Sequence, residues 1–439
     1  MTKKTIIFFY LILLAFSELL FGAGDDSKSK SAEYPNLSRD ISWIPAESDL
    51  QKDYDFSKVA GKVIAHSPMT SGVYLGSPSL VILPDGTYVA SHDMFGKNWN
   101  EKDGTTILIY QSADKGETWR CVSRVNNQNW SSLFWHNGAL YLIGSGYPAC
   151  GFSVRKSLDK GVTWTEAKDE KSGLIVKNKI SSNPMPVLVA GGRIFTTHEG
   201  AGASPKPKGW GHNTSFILSA PADSNLLDAA VWTKSNEVII PNDMATLAHV
   251  GWLEGNPVQR KSDGKIFNIL RTHGVTDEVA GFYEISPDGK TATLDTYNMF
   301  LRIPGACKKF YIVYDEKSDM YYALSNWTME RDRGKVTNCP HQVKAERTRN
   351  TLALSRSKNL MDWEMYSIIL HDNDIEHSGF QYPSAVIDGN DLLIVSRTAL
   401  FDGEAKADSQ HNSNFITFHR VENFRDRTLD SKPLSGRIK

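Results

Sequence analysis

Ser112-Ala113-Asp114-Lys115-Gly116-Glu117-Thr118-Trp119 recurs 45 residues later as Ser157-Leu158-Asp159-Lys160-Gly161-Val162-Thr163-Trp164. In each octet the Asp carboxylate can satisfy N–H groups of its own turn, the Gly can take a positive φ, and the Trp can pack between neighbouring sheets. Each octet is an Asp box. Just upstream, Val81-Ile82-Leu83-Pro84-Asp85-Gly86-Thr87-Tyr88-Val89-Ala90 reads as strand, Pro-Asp-Gly turn and strand, with a further strand at Thr106 to Tyr110. A repeat of this length is one four-stranded unit, so two copies predict an all-β chain folded as a β-propeller.

Outward from this unit, hairpin pairs can be placed at Leu133 to Ser145 with Phe152 to Glu166, and at Pro186 to Glu199 with Ser215 to Thr233. Val258 to Thr272 goes with Phe282 to Leu294, Phe310 to Trp327 with Thr351 to Trp363, and Ala385 to Arg397 with Phe415 to Val421. Direct counting therefore expects six blades. A seventh could come from the stretch before Ser77 and that between Trp232 and Glu254, or from N- and C-terminal strands closing one blade together. Ser355 to Trp363 reads as an Asp box that has lost its Gly, and no long helical periodicity is present.

The 439 residues are 40% hydrophobic and 23% charged, which suits one large globular domain. A net charge of −1 gives no basic field for nucleic acid or an anionic membrane surface. Residues 1–23, with Lys3, Lys4, an apolar run from Ile6 to Phe16 and then Gly22-Ala23, have the layout of a secretory signal peptide. Residues 24–45 read as a flexible leader and 46–430 as the propeller. The expectation is an exported protein, periplasmic or secreted, monomeric and not inserted in a membrane once mature. Cys121, Cys150, Cys307 and Cys339 permit up to two disulfides in three connectivities.

In a propeller the loops between blades converge on the central channel, so polar residues at the ends of inner strands are candidates for chemistry. His92, His198 and Arg271 lie at such ends, and His212 follows in a Gly- and Pro-rich stretch. Arg397 closes the last such strand, with Tyr382 before it. A guanidinium can grip a carboxylate while imidazoles handle a proton, which suits an anionic sugar.

Ser77-Pro78-Ser79, Leu83 to Asp93, Gly211-His212-Asn213, Trp252-Leu253-Glu254-Gly255-Asn256, Gly379-Phe380-Gln381-Tyr382-Pro383 and Ser396-Arg397-Thr398-Ala399 resemble segments of exported seven-bladed propellers. That group includes ulvan lyases and rhamnosyl-glucuronide hydrolases, and the resemblance spans Lys62 to Val421. It implies seven blades and a lyase or dehydratase that performs β-elimination at a uronic acid in an acidic oligosaccharide or polysaccharide. Carried over by context, the catalytic histidines fall on His198 and His212 and the arginine on Arg271. The lyase tyrosine has no counterpart between Leu247 and Arg271, which leaves Tyr382; His92, Trp252 and Arg397 are expected to bind substrate. The hydrolase relatives imply an α-L-rhamnosidase that uses His66 on the opposite face. No cofactor is required by either reading, although Cys339-Pro340-His341 could contribute to a structural zinc or calcium ion. A sialidase-like or non-catalytic glycan-binding propeller is the further alternative; Arg302-Ile303-Pro304 matches part of a sialidase motif, but in mid-chain.

Overall fold

The computed structural model divides the chain into two units, Met1–Pro35 and Asn36–Lys439. Described are residues 55–99, 105–146, 151–177, 180–181, 183–200, 213–241, 251–273, 278–333, 335 and 345–435. They form six antiparallel sheets arranged as the blades of a β-propeller.

Blade one is Tyr74–Ile82, Tyr88–Phe95, Thr106–Ser112 and Arg120–Asn126. Blade two is Gln128–His136, Ala139–Gly146, Gly151–Ser157 and Leu174–Val176. In blade three the first position is split, Ile180–Ser181 and Leu188–Ala190 both pairing with Arg193–Gly200, before Thr214–Pro221 and Thr233–Lys234. Blade four runs Gly251–Gln259, Ile266–His273, Val279–Ile285 and Ala292–Thr293, with Phe300–Arg302 also on Val279–Ile285. Blade five is Tyr311–Asp315, Met320–Asn326, Thr351–Ser357 and Glu364–His371. Blade six takes Gly379–Asp388, Asp391–Ala399 and Phe415–Val421, and its fourth strand is Lys62–His66 from the other end of the chain. The direct count of six therefore holds, and the expected seventh blade is corrected. The stretch before Ser77 completes the last blade instead of forming its own.

Apolar side chains of neighbouring sheets meet in the gaps between adjacent blades. In Arg193–Gly200, Ile194 joins Phe134, Phe152 and Phe216 between blades two and three, while its neighbour Phe195 joins Trp252, Leu270 and Tyr283 between blades three and four. Equivalent clusters fill the gaps between blades one and two, four and five, and five and six. The interface between blades six and one carries a smaller cluster of Met69, Tyr74, Ala399 and Ala407.

Both Asp boxes form between the third and fourth strand positions. Asp114 Oδ1 accepts from Ser112 Oγ at 2.7 Å and from Thr118 N at 2.9 Å, and Trp119 Nε1 donates to Gly116 O at 3.2 Å. Asp159 makes the same bonds with Ser157 and Thr163 at 2.8 Å each. In the degenerate box, Leu360 takes the glycine's place at φ 68°, and Trp363 Nε1 donates to its carbonyl at 2.8 Å. Gly116, at φ 95°, lies where a Cβ would overlap the Phe418 ring of blade six. Gly116→Ala should therefore destabilise the protein by about 1–3 kcal/mol through strain and overpacking. A thermal melt checks this, and an unchanged Tm would contradict it.

Candidate active site

Four first strands, each innermost in its sheet, carry a bulge at the same height. The register skips Ser77-Pro78, Trp130-Ser131 and Tyr382-Pro383 in blades one, two and six, and Glu254 in blade four. The leading residue of each bulge is left-handed, with φ 44° at Ser77, 46° at Trp130, 52° at Tyr382 and 49° at Glu254. Such conformations cost about 1–3 kcal/mol each in non-glycine residues and gather at functional sites. Two of the four meet across the channel: Tyr382 Oη donates to Glu254 Oε1 at 2.6 Å. Trp130 stands half-buried at the same bulge position on blade two.

The second-strand residue at this height completes the ring, opposite the four bulges and at the matching place in blade three. Gly76 pairs with Asp93, Asn129 with Ser145, Ser181 with Glu199, Leu253 with Arg271 and Gln381 with Arg397. Two of these carboxylates fasten the bulge of the next blade. Asp93 Oδ2 accepts from Trp130 N at 2.8 Å, and Glu199 Oε1 accepts from Glu254 N at 2.7 Å. Glu199 also accepts from Asn183 and Asn213 at 2.7 and 2.9 Å. Burial pushes its carboxyl up to about 7, with nearby Glu254 adding to the rise and the Glu254 N–H, Arg271 and Asn213 opposing it.

Glu254 is the hub. Its Oε2 accepts from Arg271 Nη1 at 3.0 Å, and Arg271 further donates to Glu346 Oε1 at 3.4 Å and Cys307 O at 3.0 Å. Burial works against the Arg271 charge, but Glu254, Tyr382 and Glu346 hold its pKa above the ordinary value. Tyr382 is pushed up to about 12 by burial and by Glu254, while Arg271, Arg397 and Arg349 pull the other way. The Arg397 guanidinium lies 4.9 Å from the Tyr382 ring centre and donates to Ser413 Oγ at 3.1 Å and His411 O at 2.6 Å. Arg349 donates to Glu346 O at 3.3 Å and to Gln381 Oε1. Both are buried, at 4% and 5% exposed for Arg349 and Arg397, yet among the described residues neither has a carboxylate within ion-pair distance. Lys309, pushed down to about 7 by burial, donates to Pro383 O at 2.7 Å and so steadies the Tyr382 bulge.

Of the residues singled out from the sequence, the structure brings together Arg271, Tyr382 and Arg397. His92 and His198 are one residue out of step with the ring, so their side chains turn away from Asp93 and Glu199. His92 bonds Asp93 O at 2.9 Å and Tyr110 Oη at 3.2 Å, and His198 bonds Thr196 Oγ1 at 2.8 Å against Phe216 and Phe152. Trp252 is wholly buried in the cluster between blades three and four, against Gly281, so it packs the core instead of meeting a ligand. His66 is buried on Phe415 with Nε2 3.4 Å from Asp402, and burial pushes it down to about 4. Arg302 is exposed on its strand. His212, Cys339 and His341 lie outside the described residues. Among the described residues no group of three or more His, Cys, Asp or Glu could hold a metal, and Cys121 and Cys307 are free thiols. Sequence reasoning missed Glu254, Glu199, Glu346 and Arg349.

No family model matches the chain. A stretch of 128 residues is 31% identical to a sialidase of Clostridium perfringens, covering 28% of this chain and 33% of that protein. The chain thus matches about a third of that relative's length. Among solved structures, an α-L-arabinanase of Penicillium chrysogenum is similar with a TM-score of 0.54 at 15% identity, over 84% of this chain and 99% of that one. An α-L-arabinofuranosidase of Fusarium graminearum gives 0.53 at 13%, over 83% and 98%. A sialidase of Streptococcus pneumoniae gives 0.51 at 12%, over 84% and 71%. At these identities the likeness is one of fold, that of carbohydrate-active propellers. The expectation of a carbon–oxygen lyase is corrected, since these arabinanase, arabinofuranosidase and sialidase propellers are glycoside hydrolases.

Proposed function

We propose that the protein is a retaining glycoside hydrolase that removes a terminal, carboxylate-bearing sugar from a glycan. The observation that carries this reading is the Tyr382–Glu254 pair set among three guanidinium groups, two of which have no carboxylate partner among the described residues. Buried cations with neutral neighbours favour an anionic ligand, and planar guanidinium forks suit a carboxylate. A carboxylate nucleophile would be repelled by such a sugar. A tyrosine is neutral until the moment of attack, and tyrosine nucleophiles are the known departure from the two-carboxylate scheme in sialidases.

In this reading Tyr382 Oη attacks the anomeric carbon as Glu254 Oε1 takes its proton, and the glycosidic bond breaks. Glu199, titrating near neutrality, gives its proton to the departing oxygen. The resulting Glu199 carboxylate then deprotonates a water that attacks the same carbon, and Tyr382 recovers its proton from Glu254. The leaving group departs from the face of the sugar opposite the nucleophile.

The test is a panel of 4-methylumbelliferyl glycosides of N-acetylneuraminic acid, D-glucuronic acid, L-arabinofuranose and L-rhamnose, with the anomer of the released sugar followed by proton NMR. Release of a carboxylate-bearing sugar with retained configuration is expected. Cleavage confined to the neutral sugars would overturn the anionic reading, and an inverted product would overturn the Tyr382 role.

A pH dependence follows from Glu199. Its raised carboxyl means that between its ordinary pKa of about 4.3 and about 7 the folded state holds a proton the unfolded chain has released. Its contribution to stability therefore falls as pH rises through that window and levels off above it. In melts taken from pH 4 to 8, Glu199→Gln should lose this downward component relative to wild type. Activity of the wild type should decline above about pH 7 as the proton donor is lost. Parallel melting curves for the two proteins across the range would contradict the assignment.

A further inference from the structure

Away from the channel, a cavity of about 550 Å³ opens between blades one and two. Its walls are the Arg120–Asn126 strand and Asn127 on one side and the Gly151–Ser157 and Leu174–Val176 strands on the other, with the second Asp box along its rim. That volume is within the range of about 300–1,000 Å³ that holds small ligands.

The charges lining it are Arg124, Arg155, Lys168 and Glu166, and Glu166 is already engaged with Lys168 at 2.7 Å. Arg155 is 8% exposed and donates only to neutral acceptors: Gln128 Oε1 at 3.1 Å, Thr165 O at 3.1 Å and Asn126 O at 3.0 Å. Arg124 donates through Nε to Asn126 Oδ1 at 2.8 Å and through Nη2 to Thr106 Oγ1 at 3.3 Å. Its Nη1 is buried without a hydrogen-bond partner. Burial lowers both guanidinium pKa values, with the nearby Glu166 carboxylate opposing the shift at Arg155, and among the described residues neither has a carboxylate at ion-pair distance. Trp164, half-buried on the same wall, has its Nε1 committed to Gly161 O at 2.9 Å, which leaves its ring as an apolar surface. Two cations held by neutral groups and an aromatic ring in one cavity suit an anionic ring compound.

We infer that this cavity is a second, non-catalytic glycan site that takes a carboxylate- or sulfate-bearing sugar unit. Arg124 and Arg155 receive the anion, and Trp164 lies against the ring. The site shares no residue with the channel, so it would tether a polymer while the chain end is processed elsewhere.

The experiment is calorimetric titration of the full chain with D-glucuronate, D-galactose 6-sulfate, D-galactose and inorganic sulfate, for wild type, Arg124→Met, Arg397→Leu and the double variant. Arg124→Met should bind at least one of the two acidic sugars tenfold or more weakly through one of its sites, with hydrolysis of a methylumbelliferyl glycoside unchanged. That loss should also appear in the Arg397→Leu background, whether or not the channel itself binds the probe. Unaltered binding of both acidic sugars by Arg124→Met would overturn the proposal. Inorganic sulfate bound as tightly as either acidic sugar would overturn its sugar component, as would equal affinity for D-galactose. Because Arg124 is only partly buried, a thermal melt of Arg124→Met should match wild type and separates lost binding from lost folding.

Discussion

Tyr382→Phe should lower kcat on a carboxylate-bearing glycoside by roughly a thousandfold or more, equivalent to about 4 kcal/mol of transition-state stabilisation. The ring, its contact with Arg397 and its place in the bulge are all retained, so only the oxygen that would form the covalent intermediate is lost. Glu254→Gln should have a loss of similar size, because the amide cannot take the phenolic proton. If the two residues act as a unit, the double variant should be little worse than either single one. Steady-state kinetics with a thermal melt for each protein checks the three together. Activity of Tyr382→Phe within tenfold of wild type would remove the tyrosine from the mechanism.

Arg349→Leu and Arg397→Leu should act on a different parameter. Each deletes a guanidinium whose described partners are neutral, so the resting site loses no ion pair while the bound carboxylate loses a charged donor. The expected cost in kcat/KM is about 2–5 kcal/mol, mostly as a raised KM. Lysine at either position should recover little, since it cannot reproduce the planar fork. Arg271→Leu is expected to behave otherwise: it strips Glu254 of its cation and disturbs the group that receives the Tyr382 proton, so kcat should fall more than KM rises. Equal KM values for wild type and both leucine variants on a carboxylate-bearing glycoside would refute the anion-binding role.

What could be read from residue order alone was local. The two Asp boxes and their hairpin turns close hydrogen bonds within four residues, and six strand-pair units follow from them. The resemblance that added a seventh blade did not account for the Lys62–His66 strand, which pairs with residues at the far end of the chain. The site was legible where a residue is in register, as at Arg271 and Arg397, and lost where a single step matters. Asp93 and Glu199 each follow a histidine that draws attention by its chemistry, yet in a strand neighbouring side chains point to opposite faces. Glu254 stands inside Trp252-Leu253-Glu254-Gly255-Asn256, where the tryptophan is the conspicuous residue and the bulge that turns the glutamate into the channel leaves little local trace. Arg349 and Glu346 come from the segment leading into a third strand, a place that counting inner strands does not reach.

The last blade joins Lys62–His66 to Phe415–Val421, so Lys62 faces Phe418 and His66 faces Phe415. Every other blade is assembled from neighbours in sequence. A nascent chain can therefore build five sheets as it lengthens, yet the ring stays an open arc, with the edge of Asp391–Ala399 bare, until residues beyond 415 have been made. Loss of that terminal segment would undo the same seam from the other side. Arg397 lies in the strand beside the seam and Tyr382 in the strand next to that, so a chain shortened by only some twenty-five residues at its C-terminus should lose the channel chemistry along with the ring.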